Sequence, residues 1–271
     1  LYGMTGGGEI QTARMALALR KAEALPLVKE NLRSGDLWEK HALAKFLQAS
    51  PWPETAGQLL FLALDSGEHW LPRQSALYAL GSLGDASAGP ALAAILSEPE
   101  CPAGVRLAAM AALARLDCRD AVEAILPFVA DEDIHTRLFA QYALARFGED
   151  VDRDFLISAL RDEDYLVRAE SCEALAAAGG EDAVARLRVL SEGDPHQAVR
   201  VAAAKGRLSM ETRDQPAAVK LDILKNALGS ADRFTATWIL REVLDACGEE
   251  GRAFLISLAG QEDAHGRAAR N

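Results

Sequence analysis

The sequence is poor in the features that mark several large classes of protein. Aromatic residues make up 6% of the 271 residues, and 29 Lys and Arg stand against 40 Asp and Glu, for a formal net charge of −11. A general nucleic-acid-binding protein needs a basic face that displaces phosphate counterions, so this charge balance argues against one. No apolar run of about 18 residues or more occurs, and we therefore expect no membrane insertion.

Cysteine pairs and the common catalytic signatures are also missing. The four cysteines, Cys101, Cys118, Cys172 and Cys247, share no short spacing, and no Cys-x-x-Cys pair occurs. We therefore expect neither disulfides nor a cysteine metal site, which favours a reducing, cytoplasmic compartment. A nucleophile elbow, a P-loop and a Gly-x-Gly-x-x-Gly segment are absent as well. The sequence thus predicts no catalytic residue, no cofactor and no metal ion.

What the sequence does contain is an internal repeat, marked by one basic residue per copy that we call the anchor. Arg73, Arg106, Arg137 and Arg233 are followed by apolar residues three, six, seven and ten places later, as Arg106 is by Ala109, Ala112, Leu113 and Leu116, and Lys40, Arg168 and Arg200 keep part of this pattern. This spacing predicts a helix with one buried stripe. The anchors recur at intervals of 33, 33, 31, 31, 32, 33 and 34 residues, and they are Lys40, Arg73, Arg106, Arg137, Arg168, Arg200, Arg233 and Arg267.

Each copy of the repeat predicts a pair of helices. A glycine or acidic cluster such as Gly148-Glu149-Asp150 ends the anchor helix, and a second amphipathic segment follows it. We call the helix before each anchor helix A and the anchor helix itself helix B. Neither helix can bury both faces alone, so a period of this length indicates stacked pairs.

The best copy, residues 162–182 (DEDYLVRAESCEALAAAGGED), resembles the HEAT-like repeat of the phycobilisome-lyase type. The resemblance covers about residues 23–271 and implies an all-α fold, a right-handed α-solenoid of about seven HEAT-like helix-turn-helix repeats (an α–α superhelix). We expect residues 1–9 to form a flexible tail and residues 10–271 to form one solenoid. Its units are expected to be less regular up to about residue 52, and its last repeat is expected to be truncated.

The resemblance also assigns a structural role to the anchors. In such families the acidic turn residue and the arginine form a ladder of pairs, which carries over to Asp133 with Arg137 and to Asp164 with Arg168. Looser versions are expected at Arg73, Arg106, Arg200 and Arg233. The arginines could instead form an anion-binding row, but the acidic residue close to each of the best anchors favours the structural role.

The variable positions of helix B carry the functional prediction. In these repeats helix B lines the concave side, and its exposed positions fall one, two, five and nine residues after the anchor. Apolar or aromatic side chains at such positions are candidate anchors for a protein partner, although they could also pack on the neighbouring helix B. They are Tyr78, Leu107, Leu138, Phe139, Tyr142, Phe234 and Trp238.

These observations favour a non-catalytic scaffold or adaptor that holds a protein partner in its concave groove. Its acidic rim is expected to select against acidic partners. Two alternatives stay open. The resemblance allows a bilin-lyase-type enzyme or enzyme subunit, and the Leu1 start and mid-repeat end favour a regulatory HEAT domain of a larger protein. Members of the deoxyhypusine hydroxylase type carry His-Glu pairs for iron, and this sequence has no such pair.

Overall fold

The computed structural model describes residues 20–260, and this part of the chain contains fifteen helices and no strand. The predicted tail of residues 1–9 and the anchor Arg267 lie outside the described residues. The chain divides into two compact units, one ending at Val151 and the other beginning at Asp152.

The first unit contains four helix A–helix B pairs. Single 3-10 turns at Pro53–Thr55, Ala86–Ala88, Arg119–Ala121 and Leu126–Ala130 connect or extend them. The pairs are α1 (Lys21–Ser34) with α2 (Leu37–Ala49), α3 (Ala56–Leu64) with α4 (Trp70–Leu83), α5 (Gly89–Ile95) with α6 (Ala103–Arg115), and α7 (Val122–Ile125) with α8 (Ile134–Phe147).

The second unit contains three further pairs and one additional helix A. They are α9 (Arg153–Ala159) with α10 (Tyr165–Ala178), α11 (Ala183–Gly193) with α12 (Gln197–Thr212), α13 (Ala217–Leu228) with α14 (Arg233–Ala246), and then α15 (Gly248–Ala259). Seven helix pairs follow one another, so the predicted all-α class and α-solenoid organisation are confirmed.

An aspartate shortly before the anchor caps four of the seven described B helices. The Asp133 carboxylate accepts hydrogen bonds from the Thr136 backbone N–H at 2.8 Å and from the Thr136 hydroxyl at 2.7 Å. Such N-caps satisfy backbone donors that have no partner within the helix. Asp36, Asp164 and Asp232 cap α2, α10 and α14 in the same way.

Neighbouring B helices pack closely in the first unit. In the order α2, α4, α6 and α8 each contacts the next, and one continuous apolar core runs from Val28 to Phe147. Small residues allow this approach, because a Cβ added at Gly81 would lie 3.1 Å from the Cα of Ala112. The second unit instead holds two separate apolar clusters, Leu160 to Ala203 and Leu208 to Leu258.

We predict that two Gly→Ala substitutions in the first unit change stability in opposite directions. Gly148 ends α8 with φ of 83°, and an added Cβ would meet no atom within 4 Å, so Gly148→Ala costs only its left-handed backbone strain, about 1–2 kcal/mol. Gly57 lies inside α3, also with open space around it, so Gly57→Ala should stabilise by about 0.5–1 kcal/mol. Urea denaturation of both variants measures the two changes, and equal effects would contradict this account of the helix end.

Candidate functional site

The anchor Arg168 ties its own turn to the turn of the next repeat. Its Nε and Nη2 donate to the two carboxylate oxygens of Asp194 at 2.9 and 3.0 Å. Its Nη1 donates to the backbone carbonyls of Asp162 at 2.8 Å and Glu163 at 3.0 Å. One guanidinium therefore fixes two successive turns between helix A and helix B.

The same link to the next turn recurs three times in the first unit. Arg73 donates from Nη2 to both carboxylate oxygens of Glu98 at 2.9 and 2.8 Å, and its side chain is 2% exposed. Lys40 pairs with Glu68, and Arg106 lies 3.7 Å from an Asp131 carboxylate oxygen. The acidic partner comes 25 to 28 residues after the basic residue, which places it one repeat further along the chain.

This geometry corrects the predicted pairing of Asp164 with Arg168. The carboxylate bonded to Arg168 is Asp194, while Asp164 caps α10 and accepts from the Leu166 backbone N–H at 2.8 Å. Asp133 likewise serves α8 as its N-cap. The sequence offset alone could not separate these roles, because an aspartate four residues before an arginine can cap the helix that carries it.

The remaining anchors differ in what they contact. Arg137 donates to the carbonyls of Asp131 at 2.6 Å and Glu132 at 3.0 Å, and Arg200 donates to those of Asp194 at 2.8 Å and Pro195 at 3.1 Å. Both therefore brace their own turns. Arg233 is exposed and forms no ion pair with any residue from 20 to 260, so the ladder does not extend to it.

We predict that Arg168→Ala destabilises the fold by about 3 kcal/mol at pH 7, because it leaves the buried Asp194 carboxylate without its partner. Burial alone would raise the pKa of Asp194, but hydrogen bonds from Arg168 and from the His196 backbone outweigh it and lower that pKa. The stabilisation is therefore present above the carboxyl pKa of the unfolded chain, about 3.9, and is lost as the pH falls through the lower folded value.

Urea denaturation at pH 7 and at about pH 3 measures this effect, and the difference between Arg168→Ala and wild type should shrink at the lower pH. The control is Arg186→Ala, since Arg186 pairs with Asp182 across an exposed i,i+4 spacing and should leave stability unchanged. A loss in Arg168→Ala no larger than in the control would count against a structural role for the anchor.

The B helices of the first unit leave one accessible stripe each. Every turn of α4, α6 and α8 buries residues on the other sides, because each helix packs against two B helices or against its own helix A. We call the combined stripes the helix-B face. It consists of Trp38, His41 and Lys45 on α2; Leu71, Gln74, Tyr78 and Ser82 on α4; Gly104, Leu107 and Arg115 on α6; and His135, Phe139, Tyr142 and Arg146 on α8.

Four of the predicted partner-binding residues lie on this face. Tyr78, Leu107, Phe139 and Tyr142 are half-buried and pack with one side against the core of the first unit. Leu138 does not belong to them, since it is 1% exposed, and the prediction of exposure is wrong there. The accessible stripe of α8 runs through residues 135, 139, 142 and 146, which places residue 138 about 70° from the centre of the stripe around the helix.

The other two predicted residues lie in the second unit. Phe234 is 59% exposed at the start of α14, and Trp238 is half-buried against the apolar cluster that also holds Ile239. The structure therefore separates the seven residues between two units, five in the first unit and two in the second, and binding by any of them stays a prediction.

Sequence reasoning missed two exposed tryptophans at the edge of the helix-B face. Trp38 is 68% exposed and Trp70 is 44% exposed, and each lies in the first turn of a B helix. Their signal was an aromatic residue two or three places before the anchor. Beside Trp38, His41 bonds through Nδ1 to the Ser75 hydroxyl at 2.8 Å, and burial and then Lys45 lower its pKa, which disfavours the charged ring.

A cleft of about 440 Å³ lies in the second unit beside α12 and α14, with an adjoining hollow of about 390 Å³. Arg207 donates to Glu211 at 2.7 Å, while its Nε is buried with no partner among the described residues. The charged lining is balanced, so the cleft has no net charge that would select an anion. It consists of Arg188, Arg200 and Arg207 with Glu192, Glu211 and Asp232.

The described residues offer little reactive chemistry. All four cysteines are free; burial raises the pKa of Cys172 to about 12 and also raises the pKa of Cys101, Cys118 and Cys247, which disfavours a thiolate. Among residues 20–260, no three His, Cys, Asp or Glu side chains are grouped to hold a metal ion. In the same range no helix has the length and apolar character needed to cross a membrane.

Comparison with known proteins places the repeat in a family. A family model of HEAT repeats matches residues 90–176 and 153–245, which together run from 90 to 245 and cover more than half of the 271 residues. No curated protein matches the chain.

Several solved structures are similar to this chain. One is the complex of CpcE and CpcF of phycocyanin lyase from Nostoc sp. PCC7120, with 18% identity over 74% of this chain and 92% of that chain, at a TM-score of 0.49. Human deoxyhypusine hydroxylase matches with 20% identity over 83% and 84% at a TM-score of 0.36. An engineered protein matches with 18% identity over 89% and 75% at 0.35. The family assignment rests on the match to the HEAT-repeat model.

Proposed function

The chain belongs to the HEAT-repeat family, and from this premise we propose that it is a non-catalytic scaffold whose helix-B face in the first unit binds a protein partner. The observation that carries the proposal is the accessible apolar row of Tyr78, Leu107, Phe139 and Tyr142. Each of these side chains is held in place by the core on one side and reaches solvent on the other, which is how rigid interface anchors are presented.

The anchor arginines and the cleft of the second unit are weaker candidates for a binding site than the helix-B face. The anchors Arg73 and Arg168 are occupied by carboxylates of the next turn, so they are not free to bind an external anion. The cleft of the second unit carries charges that balance. A repeat scaffold offers an extended surface rather than a pocket, and the helix-B face spans four successive pairs.

We predict that the double variant Leu107→Ala/Phe139→Ala loses its protein partner. Affinity capture from the native lysate, followed by quantitative mass spectrometry, should show the specific partner reduced by at least about tenfold, because two interface anchors are truncated. Circular dichroism and the melting curve verify that the variant remains helical and folded.

The matched control is Phe61→Ala/Leu64→Ala, which also truncates one aromatic and one leucine side chain. Phe61 is 60% exposed and Leu64 38% exposed, and both lie on α3, a helix A outside the helix-B face. Capture should be unchanged in this control. Loss of the partner in the control alone, or in neither variant, would rule out the helix-B face as the binding surface.

A further inference from the structure

The helix-B face of the first unit carries charge of one sign. Lys45, Arg115 and Arg146 are exposed on it, and none of the positions that define the face holds Asp or Glu. Among residues 20–260, no carboxylate lies within ion-pair distance of these three side chains. This surface is therefore locally positive in a chain whose net charge is −11.

The acidic residues of the first unit lie off this face. Glu39 lies on α2 beside Trp38 and closes the capping box of that helix, Glu23, Glu30 and Glu123 lie on A helices, and the others lie mainly in the turns. Glu68, Glu98 and Asp131 are paired with anchors, and Asp36 and Asp133 cap helices. Because the turns join the ends of the helices, their carboxylates lie at the two edges of each pair rather than along helix B. The corresponding face of the second unit lacks this character, since it carries Glu170, Glu173 and Glu242 beside Lys205.

The positive groups flank the apolar row. Arg115 is the last residue of α6, and Arg146 lies in the last turn of α8. There the positive side chains interact favourably with the negative end of the helix dipole, and their guanidinium groups stay exposed. The stem of Arg115 lies over α4, because a Cβ at Gly81 would be 3.3 Å from its Cδ. Leu107 lies about two turns before Arg115, and Phe139 and Tyr142 lie about two turns and one turn before Arg146.

The dimensions of the face match one helix. Adjacent B helices are spaced about 8–10 Å apart, so the three spacings from α2 to α8 span about 25–30 Å. A helix of about 20 residues has that length. Such a helix can lay one apolar stripe on the row and direct flanking side chains toward Lys45, Arg115 and Arg146.

We propose that the partner segment is an acidic amphipathic helix, with apolar residues on one stripe and Asp or Glu beside it. This proposal rests on the proposed function and adds the chemistry of the occupant. Charge complementarity selects it, because like charges across an interface cost several kcal/mol while opposite charges speed association. The negative net charge of the chain would favour a basic partner, but the cations placed on the helix-B face favour an acidic one.

The proposal is tested with two labelled synthetic peptides of about 20 residues. Both carry the same leucine and phenylalanine stripe at helical spacing; one has Glu at the flanking positions and the other has Lys there. Fluorescence anisotropy with the full chain, at about 50 and 300 mM salt, gives the two affinities. The Glu peptide should bind at least about tenfold more tightly at low salt, with the preference reduced at high salt.

Two variants with the same change in net charge test whether the cations must lie on the helix-B face. Arg115→Glu/Arg146→Glu should weaken the Glu peptide by at least about tenfold and strengthen the Lys peptide. The control Lys29→Glu/Arg33→Glu makes the same change in net charge on α1, a helix A, and should leave both affinities within about twofold. Equal binding of the two peptides, tighter binding of the Lys peptide, or equal effects of the two variants would overturn the proposal.

Failure of the proposed function has a different signature. If Leu107→Ala/Phe139→Ala leaves the affinity of both peptides unchanged, or if neither peptide binds, the face is not a helix-binding surface. An unlabelled single-stranded oligonucleotide is added as a competitor, and it should not displace the Glu peptide. Displacement at a comparable concentration would reassign the positive groups to a nucleic acid and would also overturn the proposal.

Discussion

The interaction on which the structure depends is the link from an anchor to the turn of the next repeat, which is formed by Lys40, Arg73, Arg106 and Arg168. A helix pair with small side chains buries too little apolar surface to be stable alone, so each pair needs a fixed geometry against its neighbour. The Arg73–Glu98 and Arg168–Asp194 pairs supply it with two charge-assisted hydrogen bonds each. The guanidinium of Arg168 also holds the carbonyls of its own turn, so one side chain orders both ends of the link.

This arrangement frees the helix-B face for variation. The links between repeats, the helix caps and the turns are formed by residues at the ends of the helices. The stripe that contains Tyr78, Leu107 and Phe139 takes no part in those tasks beyond packing one side of each residue on the core. Positions that are not needed for these tasks can hold side chains that recognise a partner. In the first unit they combine an apolar row with cations such as Arg115.

The sequence predicted what depends on local spacing and missed what depends on stacking. The helix pairs, the anchor period and the end of α8 at Gly148 could be read directly, because each follows from residues within one repeat. The partner of Arg168 could not, since Asp194 is brought to it only when one pair stacks on the next. The exposure of Leu138 was also predicted wrongly. On α8 the accessible stripe includes the position two residues after the anchor rather than one, so the Leu138 side chain points inward. The charge asymmetry of the face was present in the sequence, but net composition concealed it.

The account predicts that the anchors couple neighbouring repeats, and hydrogen–deuterium exchange of Arg73→Ala tests this most directly. Arg73 bonds to the Ala63 carbonyl at 3.0 Å and to Glu98 in the following turn. The variant should therefore exchange about tenfold faster in residues 97–102, which belong to the next repeat, as well as around residue 63. Faster exchange confined to residues 63–73, with residues 97–102 as in the wild type, would contradict a ladder that joins one repeat to the next.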